Sequence, residues 1–150
     1  GDAGTDWEIG VPSDVGPVTG AAGSANCAGT NLDADYGFNA VATLTSPEID
    51  LTDPALTGVR LTMQHFPDIE DTFDAGIIRV IRASDGVQLG ADVATDIDDD
   101  GVPPADWSEF SANLPDEVLG EVIKVVFELR SDDIQNQAGW YLDNVEVRAK

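Results

Sequence analysis

Along most of this chain apolar and polar residues alternate with a period of two, the spacing that turns one side of an extended strand toward a core and the other toward water. The pattern is plainest over 59–65, where Val59, Leu61, Met63 and His65 share one side and Arg60, Thr62 and Gln64 the other. It recurs over 122–130, with Ile123, Val125, Phe127 and Leu129 inward and Lys124, Glu128 and Arg130 outward. Residues 76–83 are apolar and β-branched, a composition that suits a strand, and the Ser84-Asp85-Gly86 turn after them predicts a hairpin with 87–91. Shorter extended pieces are expected at 7–11, as an edge, and at 107–110. Two more, at 40–44 and 48–51, flank Pro47, which cannot donate to a central ladder. The intervening segments read as loops: the Gly-, Ala-, Ser-, Pro- and Asp-rich stretch that continues to residue 30, then 31–38, the acidic runs 68–74 and 96–106, and 131–138. No segment keeps a helical apolar period over three turns, and only 115–119 suits a single turn.

A final strand is expected over 139–147, reading Gly-Trp-Tyr-Leu-Asp-Asn-Val-Glu-Val. Alternation groups Tyr141, Asp143, Val145 and Val147 on one side, with Trp140, Leu142, Asn144 and Glu146 opposite. The aliphatic members predict the first side as the core face, which carries Asp143 inward. A carboxylate there needs hydrogen bonds, an opposite charge or a metal to compensate its burial. About eight or nine short strands separated by turn signals predict an all-β fold. The architecture expected is a jelly-roll β-sandwich of two antiparallel sheets, forming one domain over residues 1–150.

Charge changes the picture of partners. The chain has 7 Lys+Arg against 29 Asp+Glu, a formal net charge of -22. Such a surface repels nucleic acid and anionic membranes and attracts cations, Ca²⁺ above all, because clustered carboxylates supply hard oxygen ligands. With one cysteine, Cys27, no internal disulfide is available, so the fold rests on its 42% hydrophobic residues and on any bound metal. No apolar run approaches the roughly 18 to 20 residues of a membrane span, so no membrane insertion is expected. The opening Gly-Asp-Ala-Gly-Thr-Asp lacks the features of a signal peptide, and the chain reads as a mature fragment or a domain excised from a larger protein.

In order, the chain contains Cys27-Ala-Gly-Thr-Asn-Leu-Asp-Ala-Asp-Tyr36, Leu44-Thr-Ser-Pro-Glu-Ile-Asp-Leu51, Phe73-Asp-Ala-Gly-Ile-Ile-Arg-Val80, Trp107 and Gly139-Trp-Tyr-Leu-Asp-Asn-Val145. This series resembles the MAM-like jelly-roll modules of secreted bacterial proteins, including those beside the catalytic domains of immune inhibitor A-type metallopeptidases and subtilisin-like proteases. The resemblance spans roughly 32–147. It implies a concanavalin-like or galactose-binding-like sandwich with no active site of its own, often calcium-bound, serving adhesion, substrate targeting or stabilisation. It also implies a secreted or cell-surface location beside adjoining domains of the same precursor. Two positions depart from the family pattern: Ala75-Gly76 stands where two glycines are usual, and Asn144 where a second acidic residue follows Asp143.

The most specific local motif is Asp96-Ile-Asp98-Asp-Asp100-Gly101, which matches the first half of a calcium loop: carboxylates 1, 3 and 5 face one ion and the glycine allows the turn. Trp107 occupies the twelfth position, so the EF-hand pattern stops there, leaving Asp106 or Glu109 to close the shell; the alternative is a solvated acidic tip. Asp143 is the second candidate ligand, either sharing an ion with Asp6, Glu8 or Asp50 or satisfied by backbone N–H groups or Arg60. Asp68, Glu70, Asp71 and Asp74 form a third acidic group, read mainly as a solvated loop. For a polysaccharide or surface glycan, stacking aromatics are sought among Tyr36, Trp107, Trp7 and Trp140, with Asp74, Gln135 and Asn136 as polar partners. Tyr36, Asp74 and Trp107 are the ligand-binding expectation, although each aromatic is read first as a core or rim packing residue. His65 reads as a structural histidine. No nucleophile–base motif, paired-histidine metal motif or phosphate loop is present, so a non-enzymatic module is expected. The expected function is a calcium-stabilised accessory module for carbohydrate or cell-surface binding. The alternative is a structural module packing against a protease domain or neighbouring repeats.

Overall fold

The computed structural model describes residues 4–150; the first three residues of the Gly- and Ala-rich opening, part of the start read for signal-peptide character, lie outside the described residues. The strands are β1 (Trp7–Gly10), β2 (Cys27–Thr30), β3 (Val41–Thr45), β4 (Ile49–Asp50), β5 (Val59–Asp68), β6 (Ala75–Arg82), β7 (Ala94–Ile97), β8 (Ser108–Asn113), β9 (Val122–Arg130) and β10 (Gly139–Ala149). They form two antiparallel sheets, ordered β1-β2-β10-β5-β8 and β3-β9-β6-β7, with β4 also paired to β9. The expected β-sandwich is therefore the fold. The single turn expected near residue 117 is a short 3-10 helix, Asp116–Val118.

The core lies between the sheets. It takes Val59, Leu61 and Met63 from β5, Ile78 and Val80 from β6, Ile123, Val125, Phe127 and Leu129 from β9, and Trp140 and Leu142 from β10. Trp140 is fully buried, with Trp7 and Phe127 meeting it edge-on at 5.8 and 6.0 Å. On the outer side of β9, Glu128 is 3% exposed, and its charge is held by Arg79 at 3.2 Å and by Arg130. Proline 47 interrupts the edge of the second sheet as expected. Ser46 repairs the gap, its amide donating to the Val125 carbonyl and its hydroxyl accepting from the Val125 amide.

Four local expectations change. β2 falls within the stretch read as irregular, where Cys-Ala-Gly-Thr has little strand propensity. It is a strand because β1 pairs with one of its edges and β10 with the other. The hairpin after Ser84-Asp85-Gly86 forms only loosely, with Arg82 N donating to Val87 O and Leu89 N to Val80 O. On the edge away from β9, β6 pairs instead with β7, which draws Asp96 out of the acidic loop and into a strand. The piece expected at 107–110 becomes β8, extended to Asn113 because β5 supplies a full ladder opposite.

The fourth change concerns β10. Trp140 and Leu142, not Tyr141 and Asp143, face the main core. The register then shifts: Asp143 opposes Gln64 and Glu146 opposes Thr62, so β10 spends one more residue than β5. This is a β-bulge, with Asn144 at φ 51. Beyond it the alternation inverts and Val147 packs against the core, while Val145 is 43% exposed. A single alternation carried through 139–147 misassigned the faces because the bulge breaks its phase.

Outside the first sheet, Tyr141, Phe66, Cys27, Leu32 and Ala138 make a second apolar cluster, with Val15 and Trp107 against it. The irregular segment between β1 and β2 covers it. Gly16 crosses directly over Tyr141, and a Cβ there would lie 2.3 Å from the ring.

Candidate functional site

β6 and β9 run antiparallel with Ala75 opposite Arg130, so the residues just beyond the paired ends, Asp74 and Asp132, are brought together. The Asp132 amide donates to Asp74 Oδ1 at 2.8 Å, and the Tyr36 hydroxyl donates to Asp74 Oδ2 at 2.6 Å. The Glu70 amide in turn donates to the Tyr36 oxygen at 3.2 Å. Glu70, Asp74 and Asp132 each place a carboxylate oxygen within 4.8 Å of the others. Asp74 is 2% exposed. Desolvation raises its carboxyl above the usual range, opposed by the donors Tyr36 and Asp132. Glu70 is raised too, by desolvation and by the charges of Asp74 and Asp132. Glu70 Oε2 is buried without a hydrogen-bond partner. Three crowded carboxylates and an unsatisfied oxygen suit an oxygen-seeking cation, which would neutralise the repulsion and fill the missing contact.

A second acidic group lies beside it. The β6–β7 pairing sets the loop before β6 against the one after β7, and Asp71, Asp98 and Asp100 come within the same 4.8 Å spacing. Asp98 already accepts the Asp100 amide at 2.9 Å, and Asp99 accepts Gly101 N at 2.8 Å; the turn holds Asp100 and Gly101 at positive φ. Asp96, the first residue of the loop motif, lies outside this group, although it shares with Asp98, Asp100 and His65 the wall of a hollow of about 340 Å³. Gln137 bridges the region by donating to Asp68 at 3.0 Å and to Asp99 at 2.8 Å.

Asp143 stands apart from both groups. Its Oδ2 accepts the Ala21 amide at 2.9 Å and its Oδ1 that of Asn144, so backbone donors meet the carboxylate and tie the last strand to the segment before β2. Tyr36 is fully buried, and its ring and hydroxyl serve Asp74. Trp107 is half-buried, stacked edge-on to Phe66 at 6.1 Å, with its indole N–H on Thr19 O. His65 is 8% exposed and accepts the Trp140 indole proton; burial pushes its pKa down to about 4. Cys27 is buried, and desolvation pushes its thiol up to about 11, far from a nucleophile's range.

Glu70 and Asp74 belong to the acidic loop before β6, whereas Asp132 lies in the polar loop after β9, with no local mark of their meeting. The missing signal was strand pairing: once residue 75 is set opposite 130, the two loops must meet.

Two β-sheets, a shared apolar core and acidic loop clusters at one end place the chain among all-β sandwich modules. No family model matches it. It is 31% identical over 144 residues to Bacillopeptidase F of Bacillus subtilis (strain 168), covering 96% of this chain. The chain spans only 9% of that relative's length. Among solved structures, the K1 cleaved adhesin domain of Lys-gingipain from Porphyromonas gingivalis W83 is similar, with a TM-score of 0.60 at 16% identity. That likeness covers 99% of this chain and 86% of the adhesin domain. The K3 cleaved adhesin domain of the same protein gives 0.59 at 19% identity, covering 99% and 87%. The match covers a small part of Bacillopeptidase F, and the two similar structures are domains of Lys-gingipain. Among the described residues, no helix is long and apolar enough to cross a membrane.

Proposed function

We propose that this chain is a non-catalytic, calcium-stabilised accessory module of the MAM-like type, exported as part of a larger bacterial protein and used to bind carbohydrate or a cell surface. The observation that carries the reading is the match of nearly the whole chain to a small part of Bacillopeptidase F, together with the fold it shares with adhesin domains. Glu70, Asp74 and Asp132 are the primary Ca²⁺ ligands in this reading, and Asp98 and Asp100 with Asp71 form a second set. The cation would hold the loops at one end of the sandwich.

Two measurements test it. Calcium at about a hundred times its Kd stabilises the native state by roughly 2.7 kcal/mol. For a domain of this size, that raises Tm by about 5–10 °C over an EDTA-treated sample. An unchanged melt would remove calcium from the reading. A glycan array with and without Ca²⁺ tests binding, and no signal on any polysaccharide would remove the carbohydrate role.

The structural alternative has its own observation. An apolar hollow of about 500 Å³ opens between the sheet edges, walled by Ile9, Leu44, Ile49, Phe127, Val145 and Val147. Ile9 is 79% exposed there, the kind of surface that a neighbouring domain covers. Co-purification of the module with its flanking domains, and loss of that association in Ile9→Asp, would support this reading.

A further inference from the structure

The outer side of the first sheet divides in two. One end carries the cluster of Phe66, Tyr141 and Trp107, covered by the segment before β2. The rest, over β8, β5 and β10, is uncovered. Two hollows lie along it, of about 300 and 430 Å³, and they share Thr62 and Arg148 in their walls. Ala22 of the covering segment, Gln64 and the carboxylates Glu109 and Glu146 line one end, while Arg60 and Lys150 close the other, so the cations gather away from the acidic end. From Arg60 to Gln64 the groove spans roughly 13 Å at ~3.3 Å per residue, the length of a short oligosaccharide.

Its charge is unlike that of the rest of the molecule. Only seven Lys+Arg exist in a chain with 29 acidic residues, and three of them, Arg60, Arg148 and Lys150, meet at this end. Arg60 and Arg148 are direct cross-strand partners, both exposed. Like charges opposed in this way destabilise a sheet, with side chains starting only about 5 Å apart. On the second sheet Arg79, Arg82 and Arg130 are each paired with carboxylates. In the groove the pairing is incomplete. Arg148 shares Glu146, Arg60 reaches only the Asn113 amide oxygen at 3.4 Å, and Lys150 has no carboxylate partner among the described residues. Gly58 leaves the space in which the Lys150 side chain lies; a Cβ there would come within 2.5 Å of Lys150 Cε.

We propose that this groove binds a carboxylate-bearing oligosaccharide of the uronate class, with the carboxylate held between Arg60 and Arg148 beside Lys150, and neighbouring hydroxyls read by Thr62, Gln64 and Asn144. Two adjacent guanidinium groups match a planar carboxylate, and its charge removes their mutual repulsion. A protein partner fits the groove less well, because protein interfaces need a large apolar centre and the lining here offers only Ala22, Met63 and Ala149 among polar and charged side chains. The lack of a stacking aromatic there makes the ionic contact the source of affinity and favours an acidic sugar over a neutral one. The net charge of -22 opposes the approach of an anion at long range, but at physiological salt that field decays within about 8 Å, leaving the local cations to decide binding.

The inference rests on the carbohydrate reading and is tested separately from it. The whole chain, ¹⁵N-labelled, is titrated with a galacturonic acid trisaccharide, a neutral galactose trisaccharide and a tri-glutamate peptide at ~0.15 M salt. The acidic sugar should shift backbone signals around residues 60–64 and 144–150 and bind at least about tenfold tighter than the other two. Arg60→Gln and Arg148→Gln should each weaken it about tenfold without lowering Tm, since each also relieves the repulsion between the two. Equal binding of the neutral sugar, or shifts confined to the Trp107 region, would overturn the groove while sparing the carbohydrate reading. Equal binding of the peptide at the same residues would overturn the saccharide, and no binding of the acidic sugar would overturn the proposal outright. The glycan array decides the wider reading independently.

Discussion

His65 shows how a residue's role follows from its surroundings. It continues the inward alternation of β5 and its Nδ1 accepts a hydrogen bond from the Trp140 indole N–H, and burial holds its pKa at about 4 against the usual 6.5. The unfolded chain therefore takes up a proton as pH falls through about 6.5, while the folded chain does so only near 4. The stability that His65 contributes is fully present above 6.5 and declines as pH falls toward 4, by about 3 kcal/mol. Asp68, Glu70 and Asp74 act with the opposite sign: their raised carboxyls favour the folded state as pH falls from above their folded values. The histidine is isolated by comparing wild type with His65→Gln, which keeps an acceptor but does not titrate. Urea midpoints of the two should converge between pH 7 and 4.5, and a constant gap would show that His65 does not titrate as described. The role of His65 was readable from alternation alone. Those of Tyr36 and Asp74 were not, because their joining depends on residues 38 positions apart in sequence.

At the level of elements, strong periodicity led to correct strands. β5 and β9 alternate over seven or more residues, and their inward sets form the core. β2 and β7 lack such a signal and exist because neighbours pair with them. The bulge in β10 has one local mark, an asparagine suited to the left-handed region. Asn144→Gly should leave stability within about 0.5 kcal/mol, whereas Asn144→Val should cost about 1–2 kcal/mol, since a β-branched residue is strained at positive φ. A lower urea midpoint at constant slope would register this. Equal stability of the two variants would mean that the bulge does not depend on its left-handed residue.

For the whole molecule, self-repulsion is the dominant long-range effect. With calcium removed, raising NaCl from about 0.05 to 0.5 M shortens the screening length to about 4 Å and should raise Tm by several degrees. Calcium added at constant ionic strength should raise it further, because filling a site differs from screening a field. Identical effects of Ca²⁺ and Na⁺ at matched ionic strength would reduce the acidic clusters to a diffuse surface charge. Composition and periodicity by themselves determined the all-β class, the main core strands, the acidic character and the expectation of a cation, since these depend on residue type and local spacing. Tertiary structure alone decided which carboxylates meet, that Asp143 ties the last strand to the segment before β2 through a backbone amide, and that three scarce cations share one groove. Those facts follow from which strands pair and in what register, and a linear pattern carries no record of the partner across the sheet.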